Sequence, residues 1–451
     1  MPISLIDSAY YQDLFGSASM RALFSDEARF QAWLDTEAAL ARAQASLGMI
    51  PQTAAEEITR QARVANLDLG AMRAEFDKVG FPIVPLVHQL ARSCSADTAR
   101  YVHWGSTTQD ITDTGMVLQI RTGLALLDTH LRALETVLCD LAARHRDTVM
   151  VGRTMQQQAA PITFGYKVAG WLDELHRDRL RLLACVPRVL VGECAGAVGS
   201  LATLGTQGLA VRAAQMRELD LGEPDISWHT ARDRWVEVCM GLGLVAGCTG
   251  RIANEIVLLM RTEVDELREP FVPGRGASST LPQKRNPINC QPVIAIARML
   301  RERVGLAMDT LMQDHERGTG PMHLEWGVLP DAFVLTDGAV TQMTSVLEGL
   351  MVDTTRMRAN LEMTGMIMAE SVMMGLAPLL GRGVAHDVVY AACGQAMDAG
   401  RGLREVLLEQ PEIAGKVDPR TLDDLLDPAG YTGACGQMVD RVLERVRSSA
   451  M

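Results

Sequence analysis

The sequence predicts an all-α fold of long helices, and three observations carry that prediction. The first is composition: the 451 residues are 48 % hydrophobic and 22 % charged, yet only 4 % aromatic. An Ala-, Leu-, Met- and Arg-rich palette suits helices, whereas sheets favour β-branched and aromatic side chains. The second is proline spacing. No proline occurs between Pro85 and Pro161, Pro224 and Pro270, Pro292 and Pro321, or Pro330 and Pro378. Proline breaks helix interiors, so these gaps admit helices well beyond the usual length. The third is periodicity. Val238, Leu242, Val245, Thr249, Ile252, Ile256 and Leu259 follow alternating four- and three-residue steps, the seam of a bundle helix. Gly241, Gly243, Gly247 and Gly250 interrupt that stretch at about 1 kcal/mol each relative to Ala, which implies neighbouring helices packed closely against it.

Short helices are expected first, such as Asp26–Leu47 ending at Gly48. Long helical stretches follow at 112–147, 162–184, 234–267, 287–313 and 331–350. A further set of short helices, with turns at Gly381–Gly383 and Asp427–Gly430, closes the chain. The length suits three helical domains, at 1–110, 111–354 and 355–451, with the central one a bundle. Rigid helices leave unusual chemistry to the interruptions between them. These are HWGSTTQD (103–110), GRTMQQQAAP (152–161), GECAGAVGS (192–200) and VPGRGASSTLPQKRNP (272–287).

Several function classes are disfavoured. A net charge of −12 argues against nucleic acid, whose phosphates need a basic face, but leaves room for small anions in a local basic pocket. The N-terminus lacks the basic and apolar regions of a signal peptide, and the apolar stretch Val238–Cys248 is too short to span a bilayer. Nine scattered cysteines without C-x-x-C read as buried thiols in a reducing cytoplasm. Nine histidines without H-x-x-x-H give no zinc motif, so neither metal nor cofactor is expected.

The loop at 273–287 is the most informative segment. Gly274 and Gly276 loosen it, Ser278 and Ser279 follow, and Lys284 and Asn286 precede a proline able to open a helix. Two readings stand: a solvated loop, or a lid closing on an anion with Lys284 as the charge and Asn286 as a directional amide. A P-loop is excluded by the glycine spacing.

SSTLPQKRNP resembles the signature G-S-S-x-M-P-x-K-x-N-P of the fumarase/aspartase superfamily almost position for position. WGSTTQDITDT, GRTMQQQAAPITFG and WHTARDR resemble further segments of the superfamily in the same order, and MRALFSDEARFQAWLDTEAALARA its first helices. The likeness spans residues 20 to 440 and points to the adenylosuccinate lyase and carboxymuconate cycloisomerase branch, with DHERGTGPMHLEW and LLDPAGYTG nearest to the latter. The resemblance implies three helical domains, a homotetramer joined through the central bundle, and active sites assembled from three subunits. It also implies abstraction of a proton beside a carboxylate, an aci-carboxylate intermediate and expulsion of a group from the adjacent carbon, without a cofactor. The implied substrate is a small polycarboxylate, with interconversion of 3-carboxy-cis,cis-muconate and 4-carboxymuconolactone as the leading reaction. The alternative is a C–N lyase releasing fumarate from an N-substituted aspartate.

By motif position the resemblance assigns the base to Ser278. Lys284 and Asn286 serve the carboxylate from the lid, with Ser279 beside them and Thr107, Thr108, Gln109, Thr154 and Gln157 from other loops. His103 is a further catalytic candidate, either touching substrate or hydrogen-bonding structurally. Arg232 or Arg234 would bind a second carboxylate in bidentate fashion, with the other pairing Asp233 or Asp110, and His229 is a candidate for the same pocket. Three departures bear on activity. Ala277 replaces the glycine before the catalytic serine, Met155 replaces the motif histidine, and Phe81 falls roughly where adenylosuccinate lyases carry another. A carboxylate leaves without prior protonation because its conjugate acid is strong, so a cycloisomerase tolerates Met155. The run His315, Glu316, Arg317, His323, Glu325 and Trp326 reads either as acid–base machinery or as an interhelical polar network. Met363, Met366, Met368, Met373 and Met374 read as core packing.

Overall fold

The computed structural model describes residues 4–272, 276, 280–281 and 283–449, and helices carry the fold. Helix α1 (Asp26–Ser46) begins where Ser25 Oγ accepts a hydrogen bond from Ala28 N at 3.2 Å. Asp26 and Glu27 complement the positive end of its dipole, and the helix stops just before Gly48, as the sequence predicts. After α2 (Leu69–Val79) come α3 (Thr108–Arg144), β1 (Val149–Thr154), β2 (Gln157–Thr163), α4 (Phe164–Val189) and α5 (Asp233–Leu259). Then follow β3 (Leu267–Arg268), α6 (Cys290–Asp309), α7 (Pro321–Glu348) and β4 (Met351–Val352), with short helices to the C-terminus.

The chain forms two compact units. One comprises Met1–Leu131, Asp178–Gly250 and Pro292–Gln342; the other comprises Arg132–Arg177, Arg251–Gln291 and Met343–Met451. They differ from the three consecutive domains 1–110, 111–354 and 355–451 because every boundary falls inside a long helix, from α3 to α7. In the first unit, Trp33, Leu34, Ala38, Ile58, Leu86, Leu90 and Ile111 form a core under α1. In the second, Val372, Leu376, Ala385, Val388, Leu403 and Leu422 form another.

Helix α5 buries every residue of the predicted seam from Val238 to Leu259. Its glycines have a steric reason. A Cβ on Gly241 would meet Leu182 at 2.5 Å, and one on Gly250 would meet the Ala297 Cβ at 2.5 Å, so α4 and α6 approach at contact distance. At 27 residues α5 is long and apolar enough to cross a membrane, a length the eleven-residue estimate missed; 56 % of its most apolar window is buried within the protein.

Three further expectations change. Segment 152–161 is no plain loop, for β1 and β2 pair antiparallel with Thr154 opposite Gln157. The turn between them holds Met155 and Gln156 at φ +49° and +62°, a conformation usually left to Gly or Asn. Helix α7 starts at Pro321 and contains Pro330, which costs one internal hydrogen bond but sits beside the buried Val328, Leu329, Ala332 and Phe333. Of the methionines read as core, Met368 is buried and Met366 and Met373 pack against the core, but Met363 and Met374 are exposed.

Replacing Gly250 by Ala should destabilise the protein by about 1–3 kcal/mol, because the added methyl overpacks the α5–α6 contact. Chemical denaturation measures this. Unchanged or higher stability, as helix propensity alone would give, would refute the close-packing explanation.

Candidate active site

In the first unit the segment Thr107–Asp110 opens α3. Asp110 sits at the third position of the helix, and its Oδ2 accepts the Thr107 N–H at 3.0 Å, the reach-back half of a capping box. The same carboxylate accepts Ala195 N at 3.0 Å, Gly196 N at 3.0 Å and Ser106 Oγ at 3.3 Å, and pairs with His229 Nε2 at 2.8 Å. Loop 103–110 is thereby tied to loop 192–200 and to the segment before α5. Gln109 adds a second tie: its Nε2 donates to His229 O at 2.8 Å and its Oε1 accepts from Arg317 Nε at 2.8 Å.

Thr107, Thr108 and Gln109 line a cavity of about 280 Å³ with Phe81, Arg317 and His323. It holds hydroxyls, a guanidinium and an imidazole within one enclosure, the groups needed to hold a carboxylate. Arg317 is the functional residue that sequence reasoning left undecided; the segment DHERGTG was the available signal. The Phe81 and His323 rings lie 6.3 Å apart, so an imidazole reaches this cavity from α7 although position 81 carries none.

Asp110, Glu193 and His229 cluster closely enough for one cation to touch all three. Their polar atoms are engaged otherwise: Glu193 accepts hydrogen bonds from the backbone N–H groups of Trp228 and Cys194 and from Ser227 Oγ. Glu193 is raised to about 7, chiefly by burial; His229 and the Trp228 N–H oppose the shift, and Asp110 and Asp113 add to it. Burial disfavours the His229 imidazolium, but Asp110 and Glu193 together outweigh it and hold the ring above its ordinary pKa.

The expected substrate arginines take other roles. Arg232 is 1 % exposed and spends its guanidinium on two buried carboxylates. It donates to Asp113 Oδ2 at 2.7 Å and Oδ1 at 3.0 Å, and to Glu325 Oε1 at 2.8 Å. Its other Glu325 contact completes the pair, and the Trp228 ring lies 5.0 Å beneath. Releasing it to a substrate would strand two buried carboxylates, so the expectation of substrate contact is corrected to a structural one. This also settles Glu325 as part of an interhelical network. Arg234 is half-buried and donates to the Arg188 carbonyl, not to Asp233 or Asp110. His103, at φ +59°, pairs through Nδ1 with the buried Glu37 at 2.5 Å and is absent from the cavity wall. Burial lowers its pKa, yet Glu37 and Asp110 hold it above the ordinary value.

The remaining site residues lie in the second unit. Thr154 and Gln157 flank the tight turn, exposed, with Met155 at 95 % exposure at its tip. The hairpin is fixed beneath by Arg153, which donates to Glu266 Oε1 at 2.7 Å and Oε2 at 3.0 Å. Lys284 is exposed and lines a cleft with Asn286 and Arg268. Asn286 donates through N at 3.3 Å and Nδ2 at 3.2 Å to Gly276 O. Glu269 anchors the end of this loop by accepting Asn289 N at 3.0 Å and Cys290 N at 2.7 Å at the start of α6. Ser278, Ser279 and Ala277 lie outside the described residues.

With this geometry in place, comparison with known proteins is informative. The lyase family profile matches residues 16–301, and that of the adenylosuccinate lyase C-terminus matches residues 365–442. The chain belongs to the fumarase/aspartase lyase superfamily. It is 44 % identical over 447 residues to a 3-carboxy-cis,cis-muconate cycloisomerase of Pseudomonas aeruginosa, covering 98 % of this chain and 96 % of the relative. It is also 44 % identical to trans-aconitate decarboxylase 1 of Mycosarcoma maydis, covering 99 % and 91 %. The crystal structure of 3-carboxy-cis,cis-muconate lactonizing enzyme from Pseudomonas putida superposes with a TM-score of 0.93 at 40 % identity, covering 98 % of this chain and all of that one. This superfamily member is therefore an all-α enzyme of the cycloisomerase-containing branch.

Glu193 yields a pH prediction. A carboxyl raised in the folded state stabilises fully below its unfolded pKa of about 4.3 and loses that contribution as pH rises through about 7. A Glu193→Gln variant cannot ionise there. Whatever its fixed offset, it should gain roughly 3 kcal/mol on the parent between pH 4.5 and pH 8. Denaturant melts across that range measure the gap, and a gap independent of pH would show that Glu193 does not titrate near neutrality.

Proposed function

We propose that this enzyme interconverts 3-carboxy-cis,cis-muconate and 4-carboxymuconolactone. In the lactone-opening direction a base removes the proton beside a carboxylate, the electrons move into that carboxylate as an aci-carboxylate dianion, and the C–O bond breaks to release a carboxylate. The closing direction reverses each step. Charge builds on one carboxylate, so donors and cations aimed there lower the barrier. Lys284 and Asn286 suit that task by chemistry and motif position, with Ser278 the base by motif position. Arg317 with Thr107 and Thr108 suits a second carboxylate.

The observation that carries the reading is the turn at Thr154–Gln157. Its tip presents Met155, a side chain with no proton to give, so the leaving group must depart unprotonated by this turn. A carboxylate does so readily, whereas an amine or alkoxide does not. The names of relatives at 40–44 % identity support the same choice.

A homotetramer acting in aromatic-compound degradation completes the proposal. Met240 and Leu244 on α5, with Leu180 and Leu183 on α4, leave apolar surface exposed on helices that otherwise pack inward, which supports assembly through them. All nine cysteines are unpaired and seven are buried, which supports a reducing cytoplasm.

Purified protein should change the ultraviolet absorbance of 3-carboxymuconate and elute at four times the 49.1 kDa chain mass. Lys284→Ala should cut kcat by about 100-fold or more. Carbon dioxide release from trans-aconitate, or fumarate from argininosuccinate or adenylosuccinate, with no change in carboxymuconate, would replace the proposed reaction.

A further inference from the structure

A second cavity lies in the first unit, separate from the one lined by Thr107 and Arg317. It measures about 340 Å³ and opens between α1, α2 and the start of α7. A volume of this size accepts a small organic molecule. The chain is poor in aromatic residues, yet Phe30, Trp33, Phe76 and Trp326 all line this space. The Phe30 and Trp33 rings stand 5.4 Å apart. Such a wall favours a flat ring over an aliphatic one, because ring pairs gain beyond their buried area.

One cation in the wall is poorly matched. Arg29 has its side chain mostly covered, but its recorded ionic partner, Asp26, stands 3.5 Å away and is largely exposed to solvent. That contact is too long for a strong hydrogen bond and is weakened by water. Burial accordingly holds the Arg29 guanidinium below its ordinary pKa, with Asp26 only partly opposing. A ligand carboxylate entering from the cavity would give this group the bidentate partner it lacks. Arg73, the other cation on the wall, is exposed, pairs with Asp77 at 3.2 Å, and lies 6.0 Å over the Phe76 ring at the mouth.

We propose that this cavity is a binding site for an aromatic carboxylate, with the ring against Trp33, Phe76 and Trp326 and the carboxylate on Arg29. The site stands independently of the reaction assigned above. It borders the first cavity through one residue pair, since Trp326 packs on His323 at 4.7 Å between ring centres and His323 lines the other space.

Titration of the full-length protein with benzoate, followed by calorimetry and by tryptophan fluorescence, tests the proposal. Benzoate should bind with one site per chain and quench fluorescence. Cyclohexanecarboxylate, which keeps the charge, and benzyl alcohol, which keeps the ring, should each bind at least 10-fold more weakly. Arg29→Met and Phe76→Leu should each weaken benzoate at least 10-fold while circular dichroism stays unchanged; Phe76→Leu, on the mostly exposed α2, keeps the test alive should Arg29→Met misfold. Arg317→Ala should leave benzoate affinity within 2-fold. The proposal is overturned if benzoate fails to bind at millimolar concentration, if cyclohexanecarboxylate binds as well, or if Arg317→Ala abolishes binding while Arg29→Met and Phe76→Leu do not.

Discussion

The carboxylate of Asp110 is the interaction on which the first unit's site depends. Three loops far apart in sequence donate to it: Thr107 from its own helix start, Ala195 and Gly196 from the loop after α4, and His229 from the segment before α5. A hydrogen bond to a charged acceptor is worth roughly 1.5–3 kcal/mol, and several on one carboxylate fix its neighbours firmly. Thr107 and Thr108 can face a cavity as ordered donors because their backbone is already held. Gln109 extends the hold to Arg317, so the cation on the cavity wall is oriented by the same arrangement.

The same logic recurs elsewhere with buried acids. Glu325 and Asp113 fix Arg232, Glu266 fixes Arg153 under the hairpin, and Glu269 fixes the start of α6 behind Lys284. Each is a buried charge whose loss would leave a partner unpaired, which makes it costly to remove whatever its net contribution. Buried carboxylates thus position the loops, and the exposed side chains on those loops are left to meet substrate. An acidic chain handling anionic substrates is consistent on this view, because most of its relevant negative charge is neutralised internally and the free cations, Lys284 and Arg317, stand at cavity walls.

Much of this was legible in the sequence. The seam from Val238 to Leu259 is buried throughout, because a heptad-like pattern reports one face of a helix directly. The motifs around Thr107 and Lys284 were recognisable as strings. What stayed hidden depends on long-range partners. Arg232 reads as a substrate ligand until Glu325, 93 residues later, is found against it. The hairpin at 149–163 escaped notice because its turn carries Met155 and Gln156 instead of Asn-Gly, removing the usual local signal. The domain division escaped for a related reason: each long helix reads as one element, though its two ends serve different units.

The central claim, that the Asp110 carboxylate organises the catalytic loop, is tested most directly by Asp110→Asn. This change keeps shape but removes the charge on which Thr107, Ala195, Gly196 and His229 converge. With the helical content unchanged, kcat/KM for carboxymuconate should fall by about 100-fold, the scale of losing organised charge stabilisation. A folded Asp110→Asn enzyme working at the parent rate would contradict the account.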